Sequence, residues 1–434
     1  MRSIKGKSGW LIFAALSLAP LGFWLFMQDL STRFADWQTS LLSAGQILGL
    51  VGMAMFSLNL VLSARLKRLE PFFDGLNQIY IKHHIFGATA LILLLFHPLF
   101  LAIRFIPSSL RQTALFLVPF TDSAITYGIF ALFTMIILLV ITFYAAWPYE
   151  RWKASHKFLG LAFFFASLHM FFISSDVSRS AALRVYMFSL VISGLAAIIY
   201  RTILSGVLVN KFHYTVVAVR ELNPSVFEIE LAGNDKNLVH RPGQFLFASF
   251  HQAGIRREYH PFTISSSPDS RNLKLTVKNL GDYTADLKQL LSGSIARVEG
   301  PFGRFSFLEA MGKKQIWIAG GIGITPFLSM ARSLKDHPGY KIFLFYCTNT
   351  RQEAVLLDEL YAIGRANSQL TVVSHCSDVS GRIDAGIISR ECGGLDDREI
   401  FICGPAPMMK SLKEQFIRSD VPASRLHSEE FALL

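Results

Sequence analysis

The chain has 434 residues, enough for two or three domains, and 52% of them are hydrophobic, with 38 phenylalanines weighted toward the first half. That composition excludes a wholly water-soluble protein and places the first half among membrane proteins. The formal net charge of +11 sits largely in short loops beside apolar segments, so it gives no reason to infer nucleic-acid binding.

In chain order, six segments are long and uncharged enough to span a bilayer, at roughly 10–27, 42–62, 83–104, 125–146, 156–173 and 183–203. The first could pass for a secretory signal, but its apolar run is long and no small-residue cleavage site follows, so it reads as an uncleaved span. Arg2, Lys5 and Lys7 precede it, Arg65, Lys67, Arg68 and Lys82 follow the second, and Arg151, Lys153 and Lys157 surround the fourth-to-fifth connection. The other side carries only Arg33, Arg104, Arg111, Arg179 and Arg184. The positive-inside rule then puts both termini in the cytoplasm of a multi-pass inner-membrane protein.

Within these spans lie two pairs of histidines, His83 with His97 and His156 with His169. An ionisable side chain in a lipid-spanning helix is disfavoured by about 2.5–3.5 kcal/mol, so four of them point to a pathway or a cofactor. The fourteen positions from His83 to His97 cover roughly 21 Å and fall about 40° short of four turns, so both can face one neighbour. The thirteen from His156 to His169 leave the rings about 140° apart on a straight helix, which demands a π-bulge, a bend or different rotamers. His83 is preferred to His84 as the inner residue because His83-His84-Ile85-Phe86-Gly87 echoes His156-Lys157-Phe158-Leu159-Gly160. The bland alternative is a set of histidines hydrogen-bonded across helices. The topology sorts them by depth, with His83 and His156 at the cytoplasmic level and His97 and His169 at the outer one. Two bis-histidine haems, one per level, are expected, and such irons suit electron transfer. No Cys-x-x-Cys-His occurs, so the haems would be b-type.

From about residue 210 the composition becomes globular. Short β segments at 214–222, 226–231, 244–250, 273–280 and 294–298 alternate with turns, which predicts a small antiparallel barrel. Strands at 315–319, 341–347, 370–374 and 399–403 alternate with helices, which predicts a parallel α/β sheet. The domains are therefore 1–205, a six-helix transmembrane unit; 206–310, a barrel; and 311–434, a nucleotide-binding α/β unit. All four cysteines, Cys347, Cys376, Cys392 and Cys403, fall in this half, as a reducing cytoplasm allows. The run Gly320-Gly321-Ile322-Gly323-Ile324-Thr325-Pro326 ends a strand and opens a helix. Its glycines let backbone approach a pyrophosphate, Thr325 is placed to cap the helix and Pro326 suits its first turn. A tight structural turn is the alternative, since the run is not G-x-G-x-x-G.

Read together, His260-Pro261-Phe262-Thr263-Ile264-Ser265-Ser266, Gly281-Asp282-Tyr283-Thr284, Gly300-Pro301-Phe302-Gly303, the 320–326 loop and Cys403-Gly404-Pro405 follow the order found in NADPH oxidases and ferric reductases. The chain resembles a bacterial NADPH oxidase of that flavocytochrome b superfamily over nearly its whole length. The resemblance implies a ferredoxin-reductase-like soluble module in which His260, Pro261, Phe262, Thr263 and Ser265 cradle the flavin of FAD. It places the FAD phosphates near Gly281, Tyr283 and Thr284, and the NADPH pyrophosphate on Gly320, Gly321, Gly323 and Thr325. Cys403, Gly404 and Pro405 would border the nicotinamide, and Phe431 would stack on the flavin, with a plain tail anchor as its alternative. His260, Thr263, Cys403 and Phe431 would then be the catalytic positions. Many soluble relatives have Arg-x-Tyr-Ser where this chain has His260-Pro261-Phe262-Thr263, so a fixed positive charge is lost and FAD is expected to bind weakly. Arg351 follows the second strand of the α/β unit, where a ribose 2′-phosphate is recognised, and no acidic residue ends that strand to favour NADH; a solvated arginine is the rival reading.

The implied activity is NADPH oxidation through FAD and two haem b groups to dioxygen at the outer face, giving superoxide. A ferric-chelate reductase shares every motif, and an extracytoplasmic protein is another possible acceptor. A six-span channel that senses nucleotides is the alternative from a different class, and it would purify colourless. No EF-hand loop occurs, and no obligatory protein activator is indicated.

Overall fold

The computed structural model describes residues 2–120, 122–145, 147, 149–205, 209, 211–234 and 237–430. The chain divides into two compact units, Met1–Phe73 with Gln78–Leu208, and Asp74–Asn77 with Val209–Leu434.

The first unit is helical: α1 (Arg2–Leu25), α2 (Trp37–Ser63), α3 (Leu76–Ile103), α4 (Ser123–Tyr144), α5 (Tyr149–Lys157), α6 (Leu159–Phe172) and α7 (Ala181–Ile199). Helix starts follow local chemistry. Asp36 and Thr39 form a reciprocal capping box at α2, Asp122 accepts from Ile125 N at 2.8 Å at α4, and Ser180 accepts from Leu183 N at 3.3 Å at α7. Among the described residues five helical stretches are long and apolar enough to cross a membrane: Ser8–Leu25, Trp37–Ser63, Leu76–Ile103, Ser123–Tyr144 and Ala181–Leu204.

The expected sixth span at 156–173 is not among these stretches, because its helix is not continuous. It is broken at Phe158, where Phe158 N donates to Ser155 O at 3.0 Å and Leu161 N to Phe158 O at 2.8 Å. The remaining α6 has 14 residues, or about 21 Å, short of a bilayer core of about 30 Å. These i to i+3 bonds tighten the backbone between His156 and His169, which supplies the departure from a straight helix that their spacing demands. In the short connections, Arg33 is buried against Asp176 at 3.3 Å, donates to Trp24 O at 3.1 Å and lies over the Trp24 ring at 3.7 Å. With several partners and little water, this pair ties the connections at one end of the bundle.

The second unit begins with six antiparallel strands, β1 (Phe212–Asn223), β2 (Val226–Gly233), β3 (Phe245–His251), β4 (His260–Thr263), β5 (Asn272–Lys278) and β6 (Ile295–Phe302), in the order β4-β3-β6-β1-β2-β5. An Ile264–Leu275 bridge joins the two outer strands, so the sheet closes on itself around Val216, Phe227, Ile229, Leu246, Phe250 and Leu275. The second sheet is parallel. Its strands are β7 (Lys314–Gly320), β8 (Lys341–Thr348), β9 (Leu370–Cys376), β10 (Glu399–Cys403) and β11 (Leu426–Glu429), ordered β11-β10-β7-β8-β9. Helices α8 (Thr325–Ser333), α9 (Leu357–Ala366), α10 (Ala385–Cys392) and α11 (Ala406–Arg418) accompany it. One core forms around Trp317, Phe327, Leu344 and Tyr346, the other around Ile318, Phe345, Ile402 and Phe416. Strand order reverses between β7 and β10, the place where open α/β sheets bind ligands.

Candidate electron-transfer sites

In the helical unit the four histidines meet as two pairs. The ring centroids of His83 and His156 lie 6.2 Å apart at 72°, and those of His97 and His169 lie 6.3 Å apart at 65°. A metal-bound imidazole nitrogen lies about 2 Å from its metal and the ring centre about 1 Å beyond, so two rings sharing one metal have centroids about 6 Å apart. Three rings also have their other nitrogen occupied. His83 Nδ1 lies 3.2 Å from Asn59 O, His97 Nδ1 2.7 Å from Gly45 O and His169 Nδ1 2.8 Å from Ala124 O. A carbonyl only accepts, so each Nδ1 carries the proton and each Nε2 keeps its lone pair, the tautomer a metal ligand needs. His156 differs: its ring stacks on Trp152 at 5.4 Å and 13°, and its Nδ1 has no hydrogen-bond partner among the described residues.

Two glycines missed in the sequence make room for the rings. A Cβ on Gly49 would lie 2.6 Å from His97 Nδ1, and one on Gly128 would lie 2.9 Å from His169 Nδ1. Gly45, four residues before Gly49, supplies the carbonyl for His97, so the Gly-x-x-x-Gly spacing in the second span was the legible signal. The residues present therefore fit a group held between imidazoles at each of two levels.

His84 is exposed, whereas His83 is partly buried and opposes His156. Loss of one haem in His83→Ala, with two retained in His84→Ala, is the expected result of haem quantitation; loss only in His84→Ala would reverse the choice.

In the barrel, β4 pairs with β3 and carries the His260–Thr263 segment. His260 stacks on Tyr283 with centroids 3.9 Å apart, its Nε2 lies 2.9 Å from Glu258 Oε2, and Tyr283 OH donates to Glu258 O at 3.1 Å. The His260 and Gly281–Thr284 motifs are thus neighbours. Burial, reinforced by Glu258, pushes the Tyr283 phenol up, so it stays protonated. Thr284 Oγ1 accepts from Leu280 N at 2.9 Å and Gly281 N at 3.1 Å, shaping a turn. Phe262 packs edge-on against Phe250 in the barrel core, and Ser265 donates to Lys274 O at 3.0 Å while accepting from Thr276 at 2.9 Å. These two side chains hold the segment in place, beside Pro261 and Thr263. Arg256, which sequence reading passed over, lies 3.8 Å from Glu258 and 3.6 Å from Asp286, so a positive charge does stand in this neighbourhood.

At the strand-order reversal, the β7 and β10 ends touch through glycines. A Cβ on Gly323 would lie 2.2 Å from Cys403 O, and one on Gly404 would lie 2.9 Å from Gly320 Cα. Gly321 has φ +53° and opens the turn that leads into α8, with Pro326 in the first helical turn. The expected Thr325 cap is corrected: Ile324 occupies the N-cap, and the buried Thr325 hydroxyl donates to Ile322 O at 3.1 Å. The helix start therefore has no side-chain cap. Cys403 is fully buried, and burial together with Glu429 raises its thiol well above the usual range, so it is a neutral apolar neighbour rather than a nucleophile. Pro405 lies exposed just beyond it. Arg351 is exposed after β8 and lines a cavity of about 550 Å³ with Thr350, Ser374, Cys376 and Ser380. Phe431 lies outside the described residues.

Comparison with known proteins agrees with this division. Residues 48–167 match the family described as ferric reductase like transmembrane component, residues 211–323 match an FAD-binding domain, and residues 317–414 match an oxidoreductase NAD-binding domain. The chain is 28% identical over 232 residues to the phthalate 4,5-dioxygenase oxygenase reductase subunit of Pseudomonas putida, covering 50% of this chain and 66% of that one. It is 27% identical over 225 residues to the ferredoxin reductase component of 3-ketosteroid-9-alpha-monooxygenase from Rhodococcus rhodochrous, covering 50% and 64%. It thus spans just under two thirds of the length of these curated relatives. Among solved structures, phthalate dioxygenase reductase is similar at 19% identity with a TM-score of 0.44, over 50% of this chain and 68% of that one. In order along the chain, a ferric-reductase-like transmembrane part is followed by FAD-binding and NAD-binding domains, which is the architecture of the NADPH oxidase and ferric reductase flavocytochromes b.

Proposed function

We propose that this protein is a transmembrane NADPH oxidase that passes electrons from cytoplasmic NADPH to dioxygen at the outer face and yields superoxide. The observation that carries the reading is the pair of imidazole pairs, 6.2 and 6.3 Å between ring centroids, at two levels of the helical unit. FAD, when bound, would supply the change from hydride to single-electron chemistry, and two b-type haems would supply one-electron carriers between the faces. His83 and His156 would hold the inner haem, and His97 and His169 the outer one. The carbonyls of Asn59, Gly45 and Ala124 fix three of those rings in the ligating tautomer. His260, Pro261, Thr263 and the Gly281–Thr284 turn would bind FAD, with Phe262 and Ser265 fixing that segment. Gly320, Gly321, Gly323 and the turn at Thr325 would meet the NADPH pyrophosphate through backbone amides, Cys403, Gly404 and Pro405 would border the nicotinamide, and Arg351 would meet the 2′-phosphate in its cavity. Phe431 is proposed to stack on the flavin. The domains follow as 1–205, 206–310 and 311–434, with both termini in the cytoplasm of an inner-membrane protein.

The name of the matched transmembrane family keeps a ferric-chelate reductase as the second reading. Purified protein supplied with FAD and NADPH in air decides between them. A superoxide dismutase-sensitive signal that persists with iron chelators is expected; turnover that stops unless ferric chelate is added would establish the iron reductase instead.

A further inference from the structure

Helix α8 starts at the glycine loop and carries, further along, two side chains that grip the barrel. Ser329 Oγ donates to Ser266 O at 2.7 Å, and Arg332 Nη1 donates to Ser265 O at 2.7 Å. Both hydrogen bonds are well shielded: Ser329 is fully buried and the Arg332 side chain is 12% exposed. Arg332 also forms a two-pronged pair with Glu359 on α9, at 2.6 and 2.9 Å, and lies 3.7 Å from the buried Glu228 on β2. Glu228 is held from its other oxygen by Lys274 at 3.0 Å, and Lys274 O accepts from both the amide and the hydroxyl of Ser265. One guanidinium therefore joins the nucleotide helix, its neighbour α9, the barrel strand β2 and the backbone that follows the His260–Thr263 segment.

We propose that Arg332, assisted by Ser329, is a positioning residue for hydride transfer, fixing the nucleotide loop at the start of α8 against the flavin-holding segment. The inference rests on reading 320–323 as the NADPH loop and 260–265 as the flavin segment. A simple staple between domains would need only an ion pair. Here the fork of one arginine reaches two carboxylates and a main-chain carbonyl, and a neighbouring serine repeats the carbonyl contact one residue on, which fixes a distance and not merely an attachment. Hydride transfer is sensitive to that distance, since a displacement of about 1 Å between reacting groups costs up to about 100-fold in rate.

The test is anaerobic stopped-flow reduction of FAD by NADPH in the full-length protein, with Arg332→Lys and Ser329→Ala. Arg332→Lys keeps the charge and loses the fork; Ser329→Ala removes one hydroxyl and leaves every charge paired. The expected result is a limiting flavin reduction rate about 10- to 100-fold lower in Arg332→Lys and about 3-fold lower in Ser329→Ala. The NADPH concentration for half-saturation should stay within about twofold. The nicotinamide–flavin charge-transfer absorbance should weaken in the same order, a signature that lost stability alone would not produce. Wild-type limiting rates in both variants would overturn the proposal, as would a rise in half-saturation with the limiting rate unchanged. If Arg332→Lys does not fold, the Ser329→Ala rate still decides. Failure of the wild-type protein to reduce FAD with NADPH would instead remove the reading of the two segments.

Discussion

Alanine at His97, or at His169, is expected to lower haem content from two per chain to one, with the same single loss from either change although the residues lie on different helices. The reason is that each level is built from its own pair of rings and its own anchors. His97 is oriented by Gly45 O at 2.7 Å and His169 by Ala124 O at 2.8 Å, whereas the other level uses Asn59 O and the Trp152 stack. Removing one imidazole leaves the facing ring with one side of the group unheld, while nothing at the His83–His156 level changes. Haem quantitation by the pyridine method reads the loss, and NADPH should still reduce the remaining haem. Superoxide output should fall by at least about 100-fold, because the outer stopping point for the electron has gone. Two haems retained per chain in both variants would show that these histidines bind something else.

How much of this was legible in the sequence depended on whether the signal was local. Spans with long uncharged runs announced themselves, because such a run lies within one stretch of chain, whereas their caps Asp36 and Asp122 lie outside the apolar runs and went unread. The break at Phe158 did not announce itself either. The run 156–173 is apolar throughout, and only the awkward phase between His156 and His169 hinted that the helix could not be straight. The glycine cradle was half visible. Gly45 and Gly49 keep a readable spacing, but Gly128 is a lone glycine whose purpose appears only when the His169 ring packs over it. In the soluble unit the long strands were found and β4 was not. Four residues with Pro261 among them give no alternation to read, and β4 forms because closing the barrel needs a strand beside β3 and β5. Strand β11 is equally short and is fixed by pairing with β10. Thr325 looked like a cap because a threonine before an apolar run usually is one. Helix α8 instead grows out of a tight turn, so the cap position falls on Ile324 and the hydroxyl turns back to Ile322.

Gly323→Ala is expected to abolish NADPH-driven flavin reduction while leaving haem content intact, and the contrast with Gly321→Ala shows why. At Gly321 a methyl group meets open space, and the φ of +53° costs an alanine only about 1–2 kcal/mol. That variant should fold and should reduce FAD with a modestly raised demand for NADPH. At Gly323 the same methyl would sit 2.2 Å from Cys403 O and 2.8 Å from the Gly404 amide nitrogen. Both obstacles are main chain, and both belong to the β10 end, which is held in the parallel sheet by β7 and β11. The clash cannot be relieved by a rotamer change. Either the 320–324 turn lifts off or the Cys403–Gly404 peptide shifts, and both movements displace the amides proposed to hold the pyrophosphate. The loss in flavin reduction at a fixed, subsaturating NADPH concentration should exceed about 100-fold for Gly323→Ala and stay within about 10-fold for Gly321→Ala. The FAD domain and the helical unit do not depend on this turn for their own hydrogen bonds, so dithionite should still reduce both haems. Wild-type flavin reduction in Gly323→Ala would mean that the turn has room the structure does not give it, and would move the pyrophosphate site away from the strand-order reversal.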